Sequence, residues 1–214
     1  MTVNPFCGKT IPEGKKIRKI LDDDKLHNLE RLLNSHDLPP YLQPSWFINS
    51  IIAVFRYTAI RRSQLLKLTL NDINLQKRTI FLASKASKNH DEHIVPISAK
   101  LYPHLEKIIN EAKKINLPSN AQLFNINRYC FTTKRRGSDM NDNQLSHLFK
   151  KLYERTDFGI SPHRFRHTVA TNLMRNPEQN LYVTQKLLGH KNIKTTLEYI
   201  EHDVDMLRDC VERL

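Results

Sequence analysis

His163-Arg164-Phe165-Arg166-His167 is followed by Leu188-Gly189-His190 and, nine residues beyond that histidine, by Tyr199. The stretch gathers imidazoles, a guanidinium and a phenol, groups that together bind a phosphate, move its protons and attack it. His163 and Arg166 stand at i and i+3, so on a helix both leave one face and converge on one anion. Ser161-Pro162 just before them is a helix start, with serine at the N-cap and proline at the first helical position. Arginine supplies the planar fork that suits phosphate oxygens. Tyr199 supplies an oxygen nucleophile that stays on phosphorus and so conserves the energy of the broken diester.

The rest of the chain is consistent with a polyanionic partner. Among 214 residues, 34 Lys and Arg stand against 22 Asp and Glu, a formal charge of +12. That balance is common in chains that meet nucleic acid. Cys7, Cys130 and Cys210 are far apart and odd in number, which suggests neither a disulfide framework nor a zinc site and fits a reducing cytoplasm. No apolar run is long enough for a membrane span, and the start lacks the layout of a secretory signal. Only five glycines occur and none builds a phosphate-cradling loop, so no nucleotide cofactor is expected.

The pattern predicts a mainly α fold with a small antiparallel β-sheet, an α+β architecture. Residues 1–20 read as a linker or basic arm around Lys15-Lys16-Ile17-Arg18-Lys19, and residues 21–214 as one domain. Asp22 caps a helix carrying Leu26, Leu29, Leu32 and Leu33 up to the Pro39-Pro40 break. A second helix after Pro44 is apolar nearly all round and reads as the buried centre. Thr79–Leu82 and His93–Ile97 read as strands flanking a polar hairpin. Helical periodicity returns over residues 98–116, with Pro103 unsettling the first turn, and Gln122-Leu123-Phe124 reads as a short extended piece. Leu145, Leu148, Phe149 and Leu152 mark a helix capped by Asn141 or Asp142. Short helices follow around 179–188 and 192–199, and a last amphipathic segment with Val204, Leu207, Val211 and Leu214 packs either on its own core or on a neighbour.

Upstream, Thr58-Ala59-Ile60-Arg61-Arg62-Ser63-Gln64-Leu65 resembles the Thr-Gly-Leu-Arg-x-Ser-Glu-Leu box of the tyrosine recombinase, or phage integrase, family. His163–His167 resembles its His-x-Leu-Arg-His box, and Leu188-Gly189-His190 with Tyr199 resembles its Leu-Gly-His box and trailing tyrosine. Ile193-Lys194-Thr195-Thr196 matches the family's Ile-x-Thr-Thr grammar. Any one box is weak, whereas four in order and in register over residues 20–202 are specific.

The resemblance implies a tyrosine recombinase catalytic-domain fold and a site-specific recombinase or integrase that cuts and rejoins DNA through a 3′-phosphotyrosyl intermediate. It implies that Arg61 and Arg166 clamp the scissile phosphate, that His190 donates to it, that Tyr199 attacks, and that His163 accepts or buffers the proton. The family takes the leaving-group proton from a hairpin lysine, here Lys85 with Lys88 in reserve. Neither metal nor cofactor is called for, because the cations supply the positive charge. The resemblance implies double-stranded DNA as the partner, with a homotetramer on DNA, a monomer in isolation and no membrane. The setting is cytoplasmic, in a bacterium or beside a phage or host nucleoid.

The family's N-terminal core-binding domain has no counterpart here, so an isolated catalytic domain or a short member is expected. Two positions depart from the pattern. Ala59 replaces glycine, which matters only if that backbone needs positive φ and is otherwise expected to be tolerated. Gln64 replaces an acid that would orient the first arginine, with Asp72 as a stand-in by proximity in sequence. Gln64 keeps open a DNA-binding or regulatory protein with weak or lost cleavage, and the shared chemistry keeps open a type IB topoisomerase.

Overall fold

The computed structural model describes residues 20–35, 37–83, 93–130 and 137–200. Lys85, Lys88, the basic arm up to Lys19, Lys134-Arg135-Arg136 and the segment from Val204 to Leu214 lie outside them. The described residues form helices and a three-stranded antiparallel sheet, the α+β class that the periodicities predict.

Helix α1 (Asp23–Leu33) starts where Asp22 accepts a hydrogen bond from the Lys25 amide at 2.9 Å, and it buries Leu26, Leu29 and Leu33. Helix α2 (Ser45–Thr58) is the centre of the fold. Phe47, Ile48, Ile51, Val54 and Phe55 are fully buried, and α1, α4 (Tyr102–Lys114) and α7 (Pro162–Leu173) pack around it. An all-round apolar helix has no face to give to water, so it must be surrounded. Helix α3 (Arg62–Leu65) is a single turn that periodicity cannot register.

Strands β1 (Ile73–Asn74), β2 (Thr79–Leu82) and β3 (His93–Pro96) pair in sequence order, with Ile80 opposite both Ile73 and Val95 and Leu82 opposite His93. Ile80, Leu82 and Val95 face the core, while Phe81 and Ile94 form a partly exposed apolar pair on the other side. Helix α4 begins only at Tyr102, four residues after Ser98, because its second residue is Pro103. Gln122 makes a single bridge to Thr69, and the one-turn helix α5 (Ile126–Tyr129) follows it.

Helix α6 (Asp142–Thr156) is capped by Asn141, whose side chain accepts from the Gln144 amide while Gln144 reaches back to the Asn141 amide. In α7 the Ser161 hydroxyl accepts from the Arg164 amide, and Pro162 takes the first helical position. Helix α8 (Pro177–Leu188) starts two residues earlier than the periodicity marks, on a second proline. Helix α9 (Ile193–Leu197) stops short of Tyr199, which sits in the turn beyond it.

One expectation is overturned. Ala59 closes α2 with φ 54° and ψ 23°, the left-handed region in which a side chain is strained. The replaced glycine therefore sits where glycine is useful, and the substitution is not neutral.

Candidate active site

Five of the six candidate residues, Arg61, His163, Arg166, His190 and Tyr199, line one open cleft of about 780 Å³. The sixth, Lys85, lies outside the described residues. Four chain corners deliver the five: the joint between α2 and α3, the first turns of α7, the end of α8 and the turn after α9.

Arg166 is 7% exposed, as enclosed as any of the five. Its Nη1 donates to the Ala59 carbonyl at 2.8 Å, and its Nη2 donates to the Leu188 carbonyl at 2.7 Å. These carbonyls end α2 and α8, where unsatisfied oxygens carry the negative pole of a helix. Burial, then the neighbouring Arg61, brings the Arg166 pKa down to about 10, while the Tyr199 phenol, hydrogen-bonded to the guanidinium, pulls the other way. Arg61 caps α3 with its backbone. Its Nη2 reaches the Gly189 carbonyl at 3.4 Å, and its Nη1 is buried without a hydrogen-bond partner. Burial lowers its pKa also. Among the described residues neither guanidinium forms an ion pair with a carboxylate. Arg62, by contrast, is tied to Asp142 and Ser146 on α6, which separates the two adjacent arginines by geometry.

Two partly desolvated cations held side by side without a carboxylate partner repel one another unless an anion joins them. The cleft is therefore electrostatically complementary to an anion.

His190 is placed by the left-handed Gly189 (φ 60°), with the His190 amide donating to the Gln185 carbonyl at 3.0 Å and the Gly189 amide to the Lys186 carbonyl at 3.1 Å. Its ring stacks on Tyr199, with centroids 6.1 Å apart and an interplanar angle of 14°. Burial first, then Arg166 and Arg61, pushes its pKa down to about 4, against the pull of Glu198. Tyr199 is 7% exposed and rests on Ala59, Ala170, Met174 and Leu188, an apolar seat separate from the main core.

Gln64 is buried, and its Oε1 accepts from the Arg61 amide at 2.7 Å. It positions the backbone of Arg61 rather than its guanidinium, and its Nε2 is buried without a partner. Asp72 is no stand-in for the missing acid, because its carboxylate accepts from the Thr69 amide and hydroxyl at 2.8 and 2.7 Å.

Three further residues belong to this neighbourhood and were given no role from sequence. His167 hydrogen-bonds His163 through facing Nε2 atoms and lies 5.2 Å from the Tyr199 ring. Its i, i+4 spacing from His163 was the available signal. Thr196 holds His190 Nδ1 at 3.0 Å. His93, the first residue of β3, packs its imidazole against Gly189, a tertiary contact that no local pattern carries.

The comparisons with known proteins agree with this picture. A Pseudomonas syringae protein described as a candidate tyrosine recombinase XerC is 37% identical over 99% of this chain and 46% of its own length. Tyrosine recombinase XerC of Halalkalibacterium halodurans is 29% identical over 96% of this chain and 65% of its own length. The chain thus spans about half to two thirds of these relatives. Among solved structures, XerA recombinase superposes with a TM-score of 0.65 at 21% identity, covering 95% of this chain and 66% of that one. The catalytic domain of bacteriophage HP1 integrase gives 0.54 at 22% identity, covering 90% and 93%. XerH bound to its difH substrate gives 0.67 at 17% identity, covering 90% and 53%. These likenesses establish the fold. The Phage integrase family model matches residues 25–206, which takes in all four sequence boxes and nearly every described residue, so the chain belongs to the phage integrase family.

Proposed function

We propose that this chain is the strand-cutting and strand-joining part of a site-specific DNA recombinase. The observation that carries the reading is the pair of guanidiniums, Arg166 buried and Arg61 half-buried, without a carboxylate partner among the described residues, with the Tyr199 phenol hydrogen-bonded to Arg166. Such a pocket attracts an anion and holds a nucleophile beside the place that the anion would take.

Tyr199 Oη forms a bond to phosphorus as the bond from phosphorus to the 5′ oxygen breaks. The phenolic proton passes to His163, and the 5′ oxygen takes a proton from Lys85. Arg61 and Arg166 neutralise the charge that grows on the non-bridging oxygens, and His190 adds a hydrogen bond. The guanidiniums and the lysine supply the charge that a divalent ion provides in other phosphoryl transfers. Reversal on a different strand rejoins the DNA. By the resemblance, four copies on two duplexes carry out an exchange, a lone chain is a monomer, and the work is done in the bacterial cytoplasm. The solved complexes of XerH with difH, and of the Tn1549 transposon integrase with circular intermediate DNA, support a duplex DNA partner.

The test is covalent trapping on a pool of nicked duplexes of randomised sequence, followed by peptide mapping of the adduct and sequencing of the bound DNA. The expected result is an adduct at Tyr199 on a narrow set of sequences, lost in Tyr199→Phe. Binding without an adduct would favour the regulatory reading that Gln64 keeps open. Relaxation of supercoils with no sequence preference would favour a type IB topoisomerase. An adduct that persists in Tyr199→Phe would remove Tyr199 as nucleophile.

A further inference from the structure

The partners of His190 settle which of its ring nitrogens carries the proton. A guanidinium has donors and no acceptor, so across 3.1 Å Arg166 Nη2 donates to His190 Nε2. Nε2 is the lone-pair nitrogen, and the ring proton sits on Nδ1, 3.0 Å from the Thr196 hydroxyl oxygen. Thr196 is fully buried on α9. The charged and titratable groups bearing on the ring are Arg166 from α7, Arg61 from the start of α3, and Tyr199 and Glu198 from the turn after α9.

In this state His190 cannot do what the recombinase reading asks of it. A phosphate oxygen only accepts, so His190 must offer a proton at Nε2, where the free site has a lone pair. Taking up a second proton is opposed by burial and by two guanidiniums, which hold the ring neutral. Changing tautomer avoids that cost but leaves Nδ1 in need of a donor. A hydroxyl can be either partner, whereas a carboxylate, a carbonyl or an ammonium cannot.

We propose that Thr196 is a positioning residue whose hydroxyl reverses its hydrogen bond: it accepts from His190 Nδ1–H in the free site and donates to Nδ1 when a phosphate draws Nε2–H. One proton leaves Nδ1 and one arrives at Nε2, exchanged with water through the open cleft, so the ring gains no charge. The ligand in this inference rests on the recombinase reading, while the free-site tautomer follows from the two distances alone.

The test combines a spectroscopic and a kinetic measurement on the full chain. Long-range proton–nitrogen NMR of the Tyr199→Phe chain reports the His190 tautomer, free and with inorganic phosphate. Expected is a neutral Nδ1–H ring when free and a neutral Nε2–H ring with phosphate. Covalent trapping is then compared for Thr196→Val, which keeps the shape and loses the hydroxyl, and Thr196→Ser, which keeps it. Loss of an orienting partner of this kind costs roughly 10- to 100-fold in rate, and Ser should recover most of it. An Nε2–H ring in the free chain, an imidazolium in the phosphate-bound chain, no change on adding phosphate, or a Val variant that cleaves at the wild-type rate would each overturn the proposal. If Thr196→Val does not fold, the tautomer measurement decides alone. A wild-type chain that switches tautomer with phosphate yet never forms an adduct with DNA would sink the recombinase reading and leave the hydroxyl's role standing.

Discussion

The Arg166 guanidinium donates to the carbonyl of Ala59, 107 residues earlier in the chain, at 2.8 Å. That carbonyl points into the site because Ala59 takes the left-handed conformation at the end of α2. The strain at Ala59 and the seating of Arg166 are therefore one feature of the fold.

Replacing Ala59 by glycine should stabilise the protein slightly. A left-handed residue with a side chain costs about 1–2 kcal/mol, and the buried methyl given up is worth about 0.8 kcal/mol. The difference predicts a gain of about 0.5 kcal/mol, read as a higher urea midpoint at unchanged slope. Ala59→Val puts a branched side chain at positive φ, where it is a true outlier. Its midpoint should fall, and DNA cleavage with it, because the carbonyl beneath Arg166 turns away. Equal midpoints for Gly, Ala and Val would remove the strain from the account.

The missing counter-ion predicts stabilisation by phosphate. At ten times its dissociation constant an anion that binds only the folded chain adds about 1.4 kcal/mol, which for a domain of this size raises Tm by roughly 3–6 °C. Arg61→Met should abolish that response without lowering Tm in plain buffer, since Arg61 makes one long hydrogen bond and keeps a buried donor unpaired. A variant that melts well below wild type in the absence of phosphate would show that Arg61 serves the fold as well as the ligand.

The sequence carried the helices because each has a periodic apolar face and a chemical start: Asp22 for α1, Asn141 for α6 and Ser161-Pro162 for α7. One-turn elements such as α3 and α5 are too short to repeat the helical period that would reveal them. The five described candidates meet in one cleft because the boxes encode corners that a shared fold brings together. The commitment of Asp72 to Thr69 is a local capping box that the Thr-x-x-Asp spacing carries, whereas the positive φ of Ala59 and the contact of His93 with Gly189 depend on the surrounding fold. No local propensity dictates those two, so neither the strain at Ala59 nor the place of His93 is legible in the sequence.

Acid should loosen the protein through His190. Its folded pKa, about 4, lies below the ordinary 6.5, so the unfolded chain binds the proton more readily between those values. Stability from this group is complete above about pH 6.5 and is lost as the pH falls toward 4. Because the ring is only about half buried, solvent screening reduces the effect to on the order of 1–2 kcal/mol. Urea midpoints at pH 7 and pH 4.5 should differ more for wild type than for His190→Gln. His104, whose pKa is also lowered by burial, contributes with the same sign in both chains and cancels in the comparison. An identical pH dependence in the two would mean that His190 is not held neutral by its surroundings.

Gly189→Ala tests how the sheet and the site are joined. The position has φ 60°, and an added Cβ would lie 3.1 Å from Cε1 and 3.3 Å from Nδ1 of His93. The left-handed backbone alone costs about 1–2 kcal/mol, and the imidazole must also give way. The damage should not stop at stability, because the Gly189 carbonyl receives Arg61 and the next residue is His190. Cleavage measured well below the unfolding transition should therefore fall further than the folded fraction does. Adding His93→Ala removes the steric part and leaves the backbone part, so the double variant should recover some of the lost stability. Strict additivity of the two substitutions would show that His93 and Gly189 do not press on one another, and the start of β3 would then have no mechanical hold on the Leu188-Gly189-His190 corner.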